Sequence, residues 1–138
     1  MAVKTLLQES YCDITFDDST KVVTAQWIGF LKTDQVKKGC ELMTKFIKEN
    51  EIKLHLSDHR RLKVLSKEVQ EYLGGSWFPE VESIGLTKLA VLVSDDVFAK
   101  ATVDKVNETA VGSLKIHTFN AEKDCFDWFK EGEYAANS

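Results

Sequence analysis

Apolar and polar positions along this 138-residue chain switch repeatedly between a period of two and a period of about 3.6. In residues 11–16, Cys12, Ile14 and Phe16 alternate with Tyr11, Asp13 and Thr15, the pattern of a half-buried strand. Asp17-Asp18-Ser19-Thr20 forms a turn cluster, and residues 21–27 read as a second strand, so the pair predicts an antiparallel hairpin. Thr33 is placed to cap a helix over 34–49 with the apolar stripe Val36, Cys40, Met43, Ile47; Gly39 allows close approach to a strand. Ile52, Leu54 and Leu56 alternate with Lys53, His55 and Ser57, a strand apolar on one face. Ser66 opens the next helix, which breaks at Gly74-Gly75; Ser76 recaps a shorter one through Trp77, Phe78, Val81 and Ile84, ended by Gly85. Residues 88–94 are apolar on both sides and predict a central strand. Asp95 or Asp96 caps a helix to about Thr109 that uses Val97, Ala101, Val103 and Val106. Gly112-Ser113 leads to a strand over 114–119, and Asn120 caps a last helix carrying Ala121, Cys125, Trp128 and Phe129.

This order, ββαβαβαβα, predicts an α/β fold with about five strands in a mostly parallel mixed sheet. One domain spans residues 1–131, and the small, polar residues 132–138 form a flexible tail. Lys53 and His55 share one face of their strand, as do Lys115 and His117 of theirs. Buried lysines are rare, so helices are expected mainly on one face of the sheet, with the other partly open at its flanks.

Composition narrows the class. The chain is 43% hydrophobic and 29% charged, an ordinary globular balance that excludes disordered and fibrous types. Its longest apolar run, residues 89–93, is strand-sized, so no membrane span is expected, and residues 1–9 are too short and polar for a signal peptide. Three isolated cysteines suit reduced thiols in a cytoplasmic protein. A net charge of −4 argues against general nucleic-acid binding.

The most suggestive segment is Ser57-Asp58-His59-Arg60-Arg61-Leu62-Lys63, read as the loop after the third strand. It holds both arginines of the chain, whose planar forks suit a carboxylate, a phosphate or an acidic partner. The same residues also suit a local tie between Asp58 and one arginine, with the other in water. Ser66 serves equally as a helix cap or as a phosphoacceptor. Trp77 lines a pocket or fills the core. His55 and His59 do not form a metal set with the scattered Cys12, Cys40 and Cys125, and no nucleophile elbow, P-loop or dinucleotide fingerprint is present. No metal, cofactor or catalytic residue is therefore expected.

Several phrases carry a resemblance. Residues 22–29, then Leu56-Ser57-Asp58-His59-Arg60 leading to Leu65-Ser66-Lys67-Glu68-Val69-Gln70-Glu71-Tyr72, then Trp77-Phe78-Pro79, residues 89–94 and residues 119–129 resemble the SpoIIAA-like group of STAS-type bacterial proteins. The resemblance runs from about Tyr11 to Lys130 and rests on order and patterning. It implies a right-handed β-α superhelix with an initial hairpin and helices mainly on one side. In the best-known members, anti-sigma-factor antagonists, a serine at the start of the second helix is phosphorylated. Ser66 falls at that place, although Leu65-Ser66-Lys67-Glu68 lacks the acidic residue, second hydroxyl and glycine of those proteins.

The leading expectation is a non-enzymatic regulatory module. It binds a protein partner or a small anionic ligand around Asp58, His59, Arg60, Arg61, Ser66 and Trp77, and a homodimer is compatible with it. The alternative is a carrier of a small apolar or lipid-like molecule under the segment Trp77 to Ile84. A third reading, an enzyme with His59 or His55 as general base oriented by Asp58, lacks a complete constellation.

Overall fold

The computed structural model describes the backbone of residues 2–104 and 108–137, with side chains described outside 100–109 and 132–137. Seven strands form one sheet: β1 (Val3–Glu9), β2 (Cys12–Asp17), β3 (Val22–Phe30), β4 (Leu54–Val64), β5 (Lys88–Leu92), β6 (Glu108–Val111) and β7 (Leu114–Phe119). Their spatial order is β1-β2-β3-β4-β5-β7-β6. The inner neighbours β3, β4, β5 and β7 run parallel, and an antiparallel pairing stands at each flank. The helices are α1 (Thr33–Asn50), α2 (Lys67–Tyr72), α3 (Phe78–Ser83), α4 (Asp95–Asp104) and α5 (Glu122–Asn137).

The five expected strands are all present, and β1 and β6 are additional. Neither flanking strand announces itself. β1 exposes Val3, Lys4, Thr5, Gln8 and Glu9, so it has no clean apolar face. β6 begins at Glu108, within the end of the helix expected from sequence; that helix is described over Asp95–Asp104, and Val106 lies outside the described residues. α5 continues past Gly132 to Asn137.

Helix ends depart from several expected caps. Lys32, not Thr33, is the N-cap of α1, and its N–H donates to the Gln35 side chain at 2.9 Å. The break at Gly74-Gly75 is no break: Leu73–Trp77 is a π-helical turn joining α2 to α3, so Ser76 caps nothing. Ser94 stands before α4, with Asp95 as the first helical residue. Asn120 donates to Asp95 at 3.0 Å, while the Ala121 carbonyl takes the first N–H groups of α5. Gly85, at φ +107°, turns the chain out of α3 as its placement predicts.

Two apolar layers sandwich the inner strands. On one face α1, α2 and α3 cover Ile14, Val23, Ala25, Trp27, Leu89 and Ile116, with Met43 and Ile47 fully buried. Gly39 permits this contact: a Cβ there would lie 2.8 Å from Cη2 of Trp27. On the other face α5 brings Cys125, Trp128 and Phe129 onto Val22, Leu56, Ala90 and Leu92. Helices thus lie mainly on one face, but the polar positions used to argue this divide between the two. His55 is 1% exposed beneath the α1–α3 layer, whereas His117 is on the α5 side, stacked on Phe119 at 4.3 Å. The physical reason is that each imidazole finds a ring or carbonyl partner inside. Lys88 likewise holds its ammonium over the Trp128 ring, 5.1 Å from the centroid, and donates to the Trp128 carbonyl.

Candidate functional site

Residues 57–63 are not a loop. They are the second half of β4, an eleven-residue strand whose pairing with β5 ends at Asp58 opposite Leu92. Beyond that point β4 pairs with β3 alone, through Ile28–Arg61, Gly29–Leu62 and Phe30–Val64, with two shifts of register. Pairing of β3 with β2 has already ended at Trp27. The ends of β3 and β4 therefore form a two-stranded tip extending past the sheet.

Asp58 anchors the base of this tip. It is 4% exposed, and its two oxygens accept four hydrogen bonds. Oδ1 takes the Arg60 backbone N–H at 3.0 Å and its Nε–H at 3.1 Å. Oδ2 takes Nη2–H of Arg60 at 2.8 Å and Nε2–H of Gln26 at 3.2 Å. Burial pushes this carboxyl up, but the hydrogen bonds and charge of Arg60 outweigh it and hold the group below its ordinary range. Arg60 also approaches Glu122 of α5 at 3.8 Å. One of the two arginines is thereby engaged within the fold, and Arg61 stays exposed, as do Lys63 and Lys32 nearby.

The opposite face of the same strand is different. His59 lies among Trp27, Leu31, Val36, Leu65, Val69 and Leu73, with Nε2 2.8 Å from the Ser57 hydroxyl. Four positions before His59, His55 donates from Nδ1 to the Val23 carbonyl at 2.8 Å and meets Trp77 edge-on. Burial pushes both imidazoles down to about 4. Ser66 caps α2 by accepting the Val69 N–H at 3.2 Å. Trp77 is 3% exposed and donates from Nε1 to Thr44 Oγ1 at 2.9 Å and to the Cys40 carbonyl at 3.2 Å. With Val81 it occupies the space under the segment Trp77 to Ile84.

The fold thus joins Asp58 to Arg60, sets His59 on the reverse side, and keeps Trp77 in the core. The residues that sequence reasoning missed are Phe30, 75% exposed, and Val64, 50% exposed, which are register partners on the tip. The signal was available: Leu62 and Val64 alternate with Arg61 and Lys63, so strand periodicity continues straight through the supposed loop. Among the described residues no group of three or more His, Cys, Asp or Glu side chains is arranged to hold a metal ion, and no helix is long and apolar enough to cross a membrane.

Comparison with known proteins gives a structural likeness. No family model matches the chain, and no curated protein does. Among solved structures, it is similar to an uncharacterised protein of the DUF3478 family with a SpoIIAA-like fold from Shewanella loihica PV-4, at 12% identity and a TM-score of 0.48, the alignment covering 92% of this chain and 91% of that one.

Proposed function

We propose that this protein is a non-enzymatic regulatory module that docks an acidic protein partner on the β3–β4 tip. The observation that carries the reading is the pair Phe30 and Val64, large apolar side chains left exposed side by side on a protruding ladder. Interface centres favour aromatic anchors, and Arg61 and Lys63 on the alternate face of the same ribbon, with exposed Lys32, select negative charge. A cationic end on a chain of net charge −4 also orients an incoming acidic surface. The Asp58–Arg60 tie supports the tip from below and fixes its direction. A regulatory role follows from Ser66, two residues after Val64: a phosphate there would add negative charge beside the docking cations and weaken the partner. Cytoplasmic location is part of the same proposal.

The test is a photo-crosslinking residue at position 30, with an equivalent label at exposed Glu41 as control. A partner captured at position 30 alone, and lost in R61E/K63E protein of unchanged melting temperature, supports docking at the tip. Equal capture at both positions, or capture that survives the double reversal, refutes it.

A further inference from the structure

A second feature lies away from the tip. Between the start of β4, the turn before β3 and helix α5 runs an open groove of about 560 Å³, continued by neighbouring hollows of about 380 and 210 Å³. Its floor and wall are Val22, Leu54, Leu56, Phe126 and Phe129. It exists because α5 lies on β5 and β7 and does not reach across β2, so this apolar strip is covered from one side only.

The two ends of the groove differ in charge. At the mouth stand Lys21, Lys53, Lys88 and, along the rim, Lys130, with Glu51 as the acid among the lining residues. Lys21 is paired to Asp18 at 2.7 Å, and Lys88 holds the Trp128 carbonyl, so the inference leans on Lys53 and Lys130. The far end carries Asp17 and Glu122, with Asp58 already tied to Arg60. This difference favours an anionic head at the lysine end, with an apolar tail running past Leu54 toward Phe126. From Leu54 to Asp58 the strand advances about 13 Å, at ~3.3 Å per residue.

From this geometry we infer that the groove binds a medium-chain fatty carboxylate, its head at the lysine-bearing mouth, where Lys53 lines one hollow and Lys130 the next, and its chain along Leu54, Phe126 and Phe129. The site is independent of the docking tip, and the two can fail separately. The carboxylate forms charge-assisted hydrogen bonds with ammonium groups, while the tail covers the part-exposed sides of Leu54 and Phe126 above the buried Phe129.

The test is titration of the full chain with decanoate below its micellar range, followed by amide chemical-shift mapping and calorimetry. Shifts centred on Leu54, Phe126 and Phe129, with affinity weakened about tenfold in K53E/K130E and little changed for decanol, are expected. Both lysines are exposed, so the double variant should fold, which its amide spectrum verifies directly. No saturable binding, shifts confined to other surfaces, or equal affinity of wild type and K53E/K130E for decanoate each overturn the inference.

Discussion

Acid should weaken this protein well above the range in which carboxylates protonate. His55 is buried and His59 half-buried, and desolvation holds both neutral, each with its proton affinity depressed to about 4. In the unfolded chain both return to about 6.5, so between those values the unfolded state binds more protons and stability falls as pH falls. Working one site from about pH 7 to about pH 5, the loss is about 2 kcal/mol, and about 4 kcal/mol for both if they act independently. Against a typical total of about 5–15 kcal/mol, from roughly a quarter to most of the stability disappears. Asp58 contributes in a separate window. Its depressed carboxyl stabilises the fold above the ordinary aspartate value and loses that contribution only as pH drops below it. Urea unfolding at half-unit pH steps reads the slope directly. H55Q and H59Q should each remove about half of it, since glutamine offers an amide to the Val23 carbonyl or the Ser57 hydroxyl without titrating. A midpoint that stays flat across this range in the wild type would refute the claim that both rings are held uncharged.

Other outcomes follow from single contacts. G39A gains helix propensity of about 1 kcal/mol but drives a methyl against the Trp27 ring, so a net loss of up to about 2 kcal/mol is expected in chemical denaturation; a stabilised variant would show that the ring yields freely. D58A removes the acceptor of four hydrogen bonds and should cost about 3 kcal/mol, softened because Arg60 is itself 44% exposed and can turn to water; D58N, which keeps one acceptor oxygen, should fall between it and wild type. Burial raises all three thiols, those of Cys12 and Cys125 to about 12, so Ellman's reagent should label none of them in native protein near neutral pH and all three in denaturant.

How much of this was legible in the sequence depends on where each residue stands. The stripe Val36–Cys40–Met43–Ile47 and the alternation through Cys12, Ile14 and Phe16 point inward as periodicity requires, because each element has one face to bury. Strand β1 was illegible: a flanking strand with solvent on most sides needs no apolar face. Histidine misled for the opposite reason. Polar in the alternation, His55 is nevertheless a core residue, because one N–H to the Val23 carbonyl and an edge-on indole satisfy it. At the candidate site the cluster of arginines drew attention to the right stretch of chain but suggested a loop. Charged residues at consecutive positions look like solvated coil, yet in an extended ribbon paired on one side they serve equally as strand residues whose charges guard the edge. Phe30 could be weighed only once its neighbours were known, since an aromatic after a strand is ordinary until nothing covers it.

The π-helical turn at Leu73–Trp77 sets a phase. In an α-helix each residue rotates the next by about 100°. The wide turn absorbs surplus chain between α2 and α3, so that Val69 and Val81 point into one core although no single α-helical phase joins them. Shortening the chain by one residue at Gly75 would leave every position before it in place and swing all that follows through about that angle. Trp77 would leave Thr44 and the Cys40 carbonyl, and an exposed neighbour would take its place against α1. The two glycines thus encode an alignment between successive segments, and at this point the number of residues matters more than their identity: G75A leaves the side-chain directions intact because nothing stands within 4 Å of the new methyl, whereas deletion of Gly75 does not.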